Sequence, residues 1–165
     1  MPIERSKLHE TVKIWHRELV NIYDSEIGEG TKIASFVEIG GAKIGKFCKI
    51  EAHAFIPPGS IIEDYVFIGP HVVLTNDMYP DLLAAKTWNP QPVIIKRGAR
   101  IGGHAVILPG VTIGERCLVG AGAVVKYDTE PDTVYVGNPA HRISEVQKKK
   151  MGIPTNASSN SKKLF

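Results

Sequence analysis

The sequence has little of what marks several common classes of protein. It holds two cysteines among 165 residues, too few for a disulfide framework, and its aromatic content is 7%. The chain has 17 acidic and 20 basic side chains. The net charge of +3 is too small to indicate a surface that binds nucleic acid. No apolar run approaches the ~20 residues of a membrane span, and residues 1–10 lack the apolar core of a secretory leader. We therefore expect one domain with tails, located in the cytoplasm, that binds neither nucleic acid nor membrane.

An aliphatic residue recurs at every sixth position over two long stretches of the chain. The first stretch begins at Ile27 and the second runs from Ile95 to Val125, with one five-residue step between Ile39 and Ile44. Neither a helix, with a period of 3.6, nor an isolated strand, with a period of 2, requires a period of six. Hexapeptide repeats indicate a β-solenoid, in which three short sides close each coil. The aliphatic positions are Ile27, Ile33, Ile39, Ile44, Ile50, Ile56, Ile62, Ile68, Leu74, Ile95, Ile101, Ile107, Ile113, Val119 and Val125.

The fourth position of each hexad predicts where the coils turn. Glycine recurs there because a corner requires a positive φ, which glycine adopts at almost no cost and which histidine tolerates better than most residues. His53 and His71 lie one coil apart, so we expect them to stack on one edge; His104 joins them if the interruption after Leu74 replaces only a corner. We interpret two of these histidines as corner residues, while a metal ladder, a relay or acid–base work beside the long loop stays open. The fourth positions are Gly30, Phe36, Phe47, His53, Gly59, Tyr65, His71, Gly98, His104, Gly110, Arg116 and Gly122.

Both cysteines occupy the fifth position of a hexad, where the second stretch has only small residues. Cys48 follows Ile44 by four residues, and Cys117 follows Ile113 by four. The position predicts packing residues rather than a disulfide or a nucleophile, in keeping with a reducing compartment.

The repeat divides the chain into segments. Residues 1–26 are predicted to form strand-like segments of a coil that leads into the repeat. A short helix around Thr11–Leu19 is the alternative. The β-helix is assigned to residues 27–143. It is interrupted at residues 75–94 by a loop that we expect to protrude and to dock on the body or on a neighbouring subunit.

The end of the chain departs from the repeat. The turn-rich segment Tyr127–Asp132 ends the solenoid, and a last strand is expected at Val134–Val136. Residues 144–165 are assigned to a short helix with Ser144 as its N-cap, followed by a tail, residues 154–165, that is predicted to be disordered.

The hexads, together with two closing segments, resemble those of the hexapeptide-repeat acyltransferases. The closing segments are Val119–Val125, which reads VGAGAVV, and Gly137–Ile143, which reads GNPAHRI. Within this family, Phe67–Pro80 and Lys96–Gly102 look like segments of N-acetyltransferases that act on nucleotide-linked amino sugars in surface-polysaccharide pathways. The resemblance implies a left-handed parallel β-helix, a homotrimer, and acetyl-CoA bound as co-substrate between neighbouring subunits, with no metal.

The resemblance also implies where the acceptor would react. In the family the acceptor sugar sits near the long loop, so Asn76 and Asp77 map to its amino-bearing end. Asn76 would hydrogen-bond the acceptor, and Asp77 would orient it or accept its proton, with His71 as a reserve base. The alternative interpretation of Asn76 and Asp77 is ordinary turn chemistry at the start of a loop.

The coenzyme site implied by the resemblance lies in the later coils. The backbone around Gly103 and Ala121 would flank the pantetheine arm. Lys126 and Arg142 would lie near the nucleotide end, where cationic side chains suit phosphate.

Two departures from the family pattern bear on the reaction. Many O-acetyltransferases of the superfamily carry a histidine in the loop as a base, and Thr75–Pro92 has none; Pro58 stands where related sugar N-acetyltransferases often have a glutamate. An amine needs no base to attack a thioester, whereas an alcohol does, so the sequence favours N-acetylation over O-acetylation. A γ-carbonic-anhydrase-like metalloenzyme and a non-catalytic scaffold stay open as alternatives.

Overall fold

Strands of two or three residues follow one another along the chain, with a corner after each. The structure is a computed structural model that describes residues 3–80 and 89–153. Every third strand stacks in parallel on the one before, which gives three sheets. The predicted all-β solenoid is confirmed.

The three sheets form the sides of the solenoid. Sheet A contains seven strands, β1 (Ile3–Glu4), β4 (Asn21–Tyr23), β7 (Glu38–Gly40), β10 (Phe55–Ile56), β13 (Val73–Leu74), β16 (Val106–Ile107) and β19 (Val124–Val125). Sheet B contains six, β2 (Lys7–Leu8), β5 (Glu26–Ile27), β8 (Lys43–Ile44), β11 (Ile61–Ile62), β14 (Ile94–Ile95) and β17 (Thr112–Ile113). Sheet C contains eight, β3 (Lys13–Ile14), β6 (Lys32–Ile33), β9 (Lys49–Ile50), β12 (Phe67–Ile68), β15 (Arg100–Ile101), β18 (Leu118–Val119), β20 (Val134–Val136) and β21 (His141–Arg142), the last antiparallel to β20.

The aliphatic position of every hexad points into the solenoid. None of these side chains is more than 4% exposed, and most are fully buried. Because the coils stack in register, isoleucine lies on isoleucine: Ile33 pairs with Ile50, and Ile50 pairs with Ile68. Burial of each such side chain contributes about 1.5–3 kcal/mol, so the interior column holds the coils together.

The interruption in the repeat replaces one corner and leaves the stacking intact. Strand β14 pairs with β11 exactly as an uninterrupted coil would, with Ile95 opposite Ile62. The base of the loop is closed by a hydrogen bond of 2.8 Å from the Gln91 N–H to the Asn76 carbonyl. Residues 81–88, and with them the expectation that the loop docks, lie outside the described residues.

The corners have the backbone conformation that the sequence predicts. Every fourth-position residue has a positive φ, from 53° at Phe47 to 88° at Gly59. The step from Ile39 to Ile44 is accommodated by a tighter corner at Gly41, whose φ is 51°. The corner positions therefore stack as columns along the edges of the solenoid.

The ends of the chain complete the solenoid. Strand β1 pairs with β4, and residues 17–19 form a single 3-10 turn where the sequence leaves a short helix open. Helix α1 (Glu145–Lys150) confirms the predicted C-terminal helix: the Ser144 hydroxyl accepts from the Gln147 N–H, and the Gln147 side chain accepts from the Ser144 N–H. No helix among the described residues is long and apolar enough to cross a membrane. The predicted disordered tail, residues 154–165, lies outside the described residues.

Both cysteines are packing residues, as predicted. Cys48 and Cys117 are buried and unpaired. Burial raises the pKa of the Cys48 thiol to about 11, and it raises the pKa of Cys117 as well. Neither thiol is therefore ionised near neutral pH, and neither is suited to act as a nucleophile.

The interior column predicts a sharp difference between adjacent residues of one strand. Ile44→Ala should lower the free energy of unfolding by about 2–5 kcal/mol, because Ile44 is 4% exposed and its loss leaves a cavity. Lys43→Ala, on the exposed side of β8, should change it by less than about 0.5 kcal/mol. Denaturant unfolding would measure both. Equal costs would contradict the assignment of inward and outward faces.

Candidate active site

Aromatic rings form a continuous column along the edge between sheets C and A, hereafter the C–A edge. Phe36, His53, His71 and His104 occupy the corner position of successive coils on this edge. Their ring centroids are 4.9, 4.5 and 4.7 Å apart in that order, and the planes are within 17° of parallel. The predicted stacking of the three histidines is confirmed. Face-to-face rings share no hydrogen bond, so the column is not a proton relay.

The column changes the acid–base behaviour of His71. The pKa of His71 is lowered, first because the neighbouring rings shield it from water, and then because a positive charge on His53 or His104 opposes its protonation. Although the residue is exposed, its two faces are covered and only the ring edge reaches solvent. At neutral pH His71 is therefore a neutral imidazole, which is able to accept a proton.

The later coils of the same edge present backbone N–H groups. Among the described residues, the N–H groups of Gly103 and Ala121 donate to no acceptor. These residues precede His104 and Gly122 and lie in successive coils, about 4.8 Å apart. Gly102 makes this close stacking possible, because a Cβ there would lie 2.5 Å from the Ala121 nitrogen. Two open donors beside each other can hold a carbonyl oxygen or stabilise an oxyanion.

The edge between sheets A and B, hereafter the A–B edge, carries the start of the long loop. The Asn76 side-chain amide donates to the Pro58 carbonyl in the coil below at 3.0 Å, which ties the loop to the solenoid. Asp77 accepts a hydrogen bond of 3.1 Å from the Tyr79 N–H. The Asp77 contact is turn chemistry, as the alternative interpretation predicts, whereas the Asn76 contact joins two successive coils. Each leaves the second side-chain atom, Asn76 Oδ1 and Asp77 Oδ2, without a partner among the described residues.

The two predicted cationic residues lie near the C-terminal end of the solenoid. Lys126 follows β19 on the A–B edge, exposed, with its Nζ 5.8 Å from the centre of the Tyr127 ring. Arg142, in β21, forms an exposed ion pair with Glu130. An exposed ion pair contributes little to stability, so a phosphate could take the place of Glu130 at little cost.

Except for Arg142, which lies in β21 of sheet C, the predicted site residues therefore fall into two groups within one chain. His71, Gly103 and Ala121 share the C–A edge. Asn76, Asp77 and Lys126 lie on the A–B edge, across the full width of sheet A. One chain does not bring the two groups together.

Three features of the site could not be predicted from the sequence. The open N–H groups, the Pro58 carbonyl as the partner of Asn76, and the closure of the loop by Gln91 all depend on which coil lies below which. The fourth-position rule gives the edge on which a residue lies. It does not give the backbone groups that remain unpaired.

No metal centre is built among residues 3–80 and 89–153, where no group of three or more His, Cys, Asp or Glu side chains could hold an ion. In the histidine column the rings present faces to one another, so their nitrogen atoms do not converge. The metal-ladder interpretation has no support in this part of the chain.

These features define a hexapeptide-repeat solenoid with a long loop on one edge. Residues 41–76 and 92–126 match the family described as bacterial transferase hexapeptide (six repeats). Together with the fold, this match shows that residues 41–76 and 92–126 are hexapeptide repeats of the type found in bacterial transferases.

Individual relatives are similar over part of the chain. Galactoside O-acetyltransferase of Escherichia coli is 38% identical over 88 residues, which make up 52% of this chain and 43% of that protein. The chain thus spans less than half the length of the curated relatives it matches.

Solved structures share the solenoid. A hexapeptide-repeat acetyltransferase from Vibrio cholerae, solved with acetyl coenzyme A, has 29% identity and a TM-score of 0.65, covering 78% of this chain and 73% of that chain. An N-acyltransferase from Bacillus cereus has 22% identity and a TM-score of 0.66, covering 90% of this chain and 91% of that chain. At 22% identity the second likeness is one of fold.

The histidine column predicts the direction of a pKa change. His53→Phe should keep the stack, because Phe36 already holds a ring at the same φ, and should remove a nearby charge. The pKa of His71 should then rise towards the ordinary value of 6.5. Titration of the ring resonances by NMR would measure it, with His9→Phe, outside the column, as the control. An unchanged or lower pKa of His71 would refute the electrostatic coupling.

The same shift has a consequence for stability. Because the folded-state pKa of His71 is depressed, the unfolded chain takes up this proton first as the pH falls. The contribution of neutral His71 to stability is complete above pH 6.5 and is lost as the pH falls from there towards the folded-state pKa.

Proposed function

We propose that the protein is an acetyl-CoA-dependent N-acetyltransferase that acts on an amino sugar linked to a nucleotide, in surface-polysaccharide biosynthesis in the cytoplasm. The observation that carries acyl transfer is the pair of open backbone N–H groups at Gly103 and Ala121. Such donors suit the carbonyl oxygen of a thioester, which becomes an oxyanion during attack. The match to the hexapeptide transferase family supports the same reaction class.

Attack by an amine explains why the loop needs no histidine. The acceptor nitrogen, as the neutral amine, forms a bond to the carbonyl carbon of the thioester. The carbon–sulfur bond then breaks, the nitrogen loses a proton, and the thiolate of CoA takes one up. The protein chiefly positions the reactants and stabilises the oxyanion. Asn76 Oδ1 would accept from the acceptor, and Asp77 Oδ2 or the neutral His71 ring would take the proton.

The two groups of site residues support an assembly in which they meet between subunits. Within one chain, sheet A separates the C–A edge from the A–B edge. Packing of one copy's A–B edge against the next copy's C–A edge would join Asn76 of one subunit to Gly103 of another. A head-to-tail contact of this kind forms a ring when the rotation between neighbouring copies closes. We propose that the ring is a homotrimer, with acetyl-CoA held between neighbouring copies by Gly103, Ala121, Lys126 and Arg142.

The acceptor class is supported by proteins of the same fold. The Bacillus cereus N-acyltransferase was solved with dTDP-4-amino-4,6-dideoxyglucose and coenzyme A, and shares 22% identity. A perosamine N-acetyltransferase from Caulobacter crescentus, also 22% identical, was solved with CoA and GDP-perosamine. These ligands are amino sugars joined to a nucleoside diphosphate, which is the acceptor proposed for this protein.

O-acetylation of a sugar hydroxyl is the second candidate. It is favoured by the 38% identity to galactoside O-acetyltransferase. An alcohol needs a general base, and Thr75–Pro92 has no histidine to supply one. In this reaction His71, neutral at pH 7, would have to act as the base.

The proposal predicts the effect of one substitution on turnover. Asn76→Ala should lower kcat by about 10- to 100-fold, since misplacement of an acceptor is costly, and should lower stability by about 1 kcal/mol through the lost bond to Pro58. Thiol release from acetyl-CoA with UDP- and dTDP-linked amino sugars measures turnover. Asn21→Ala, on the outer face of β4, is the control and should behave as the wild type.

Several outcomes would overturn the proposal. Unchanged kinetics of the Asn76→Ala protein would remove this residue from the site. Activity on hydroxyl acceptors alone would favour O-acetylation. Failure of acetyl-CoA to raise the Tm would favour a non-catalytic scaffold, because a specific ligand stabilises the folded state by mass action.

A further inference from the structure

Sheet C carries a column of lysines on its outer face. Lys13, Lys32 and Lys49 precede the inward isoleucine of β3, β6 and β9, and they pair in register in successive coils. Neighbouring strands lie about 4.8 Å apart, and like charges directly opposite each other are destabilising. The column is therefore costly in the unliganded protein.

The adjoining face of the same coils has the opposite arrangement. On sheet B the corresponding column is Lys7, Glu26 and Lys43, so unlike charges are neighbours, and the Lys7 and Glu26 side chains lie 3.7 Å apart. Of the three lysines in the sheet C column, only Lys49 has an acidic partner among the described residues, Glu51 at 2.6 Å. The cationic column is thus a property of one face and not of the coils as such.

An exposed indole lies beside this column. Trp15 follows β3 at the start of the C–A edge and is 60% exposed. The residue in the same position of the next coil is Ala34, which is too small to cover the ring. Trp15, Ala34, Lys32, Lys49 and Glu51 line a shallow groove. The groove offers a flat apolar surface with cationic side chains beside it.

The groove is aligned with the proposed reaction site. Trp15 belongs to the same edge as His71, three coils earlier, which corresponds to about 14 Å along the solenoid axis. Two phosphate groups and a sugar ring can bridge such a separation. Gly103 and Ala121, proposed for the coenzyme, follow in the next two coils.

We propose that this groove, hereafter the Trp15 groove, binds the nucleoside diphosphate part of the acceptor. The base stacks on the Trp15 indole, a contact that every base can make. The diphosphate lies against Lys32 and Lys49, where it relieves the repulsion within the column. The inference rests on the proposed function for the sugar that the diphosphate carries, but binding of the nucleotide alone tests the groove.

Fluorescence of Trp15 provides the test. The chain has two tryptophans, so a Trp88→Phe protein reports on Trp15 alone. UDP and dTDP should each quench this emission, and inorganic pyrophosphate should bind at least about tenfold more weakly because it lacks the base. Lys32→Ala should weaken nucleotide binding about tenfold by loss of a charge-assisted contact. The matched control is Lys43→Ala, which removes the same charge from the neighbouring face and should leave the affinity unchanged.

Two further variants sharpen the result. Glu51→Gln should tighten nucleotide binding, because it releases Lys49 and removes a negative charge from the groove. Trp15→Phe, followed by calorimetry, should keep weaker binding, since the smaller ring still stacks.

The inference is overturned if neither nucleotide binds, if pyrophosphate binds as tightly as UDP and dTDP, or if Lys32→Ala and Lys43→Ala have equal affinities. Calorimetry with acetyl-CoA and turnover assays separate this failure from failure of the proposed function. Wild-type turnover on nucleotide-linked amino sugars, with no effect of Lys32→Ala on nucleotide binding, would contradict the Trp15 groove. It would leave the proposed function intact. Nucleotide binding at Trp15 without any acetyl transfer would support the groove and contradict the proposed function.

Discussion

The stacking of buried isoleucines in register is the interaction on which the rest of the structure depends. Each coil contains three short strands that bury almost nothing alone, and it is stable only when its inward side chains lie on those of the next coil. This requirement fixes the register, since a shift by one residue would turn every isoleucine outwards. It holds even across the long interruption, where Ile95 still lies on Ile62. The loop can therefore vary without disturbing the solenoid.

Fixed register turns the corners and faces into columns of equivalent positions. The same geometry yields the stacked rings from Phe36 to His104, the open N–H groups at Gly103 and Ala121, and the lysines of sheet C. Along the C–A edge these features follow one another from the indole of Trp15 to the backbone donors. We infer that the number of coils between two binding sites on the solenoid sets the distance between the two reactants.

The sequence predicts the fold well because a period of six has one simple structural explanation. It also predicts the corner φ values and the histidine column, since both follow from counting along hexads. It does not reveal that Asn76 is held by the Pro58 carbonyl, or that the Gly103 N–H remains open, because these depend on the backbone contacts between coils. The lysine column has a signal, the recurring Lys-Ile pairs at residues 13, 32 and 49. Comparison with sheet B is needed to show that the unbroken row of lysines is confined to sheet C.

The most direct test of the central claim is the linkage of the transferred acetyl group. The product formed from acetyl-CoA and a nucleotide-linked amino sugar would be treated with neutral hydroxylamine, which cleaves esters and spares amides, and then analysed by mass spectrometry. The account predicts one added acetyl group that survives the treatment. An acetyl group that is lost on treatment, or transfer only to sugars without an amine, would contradict it.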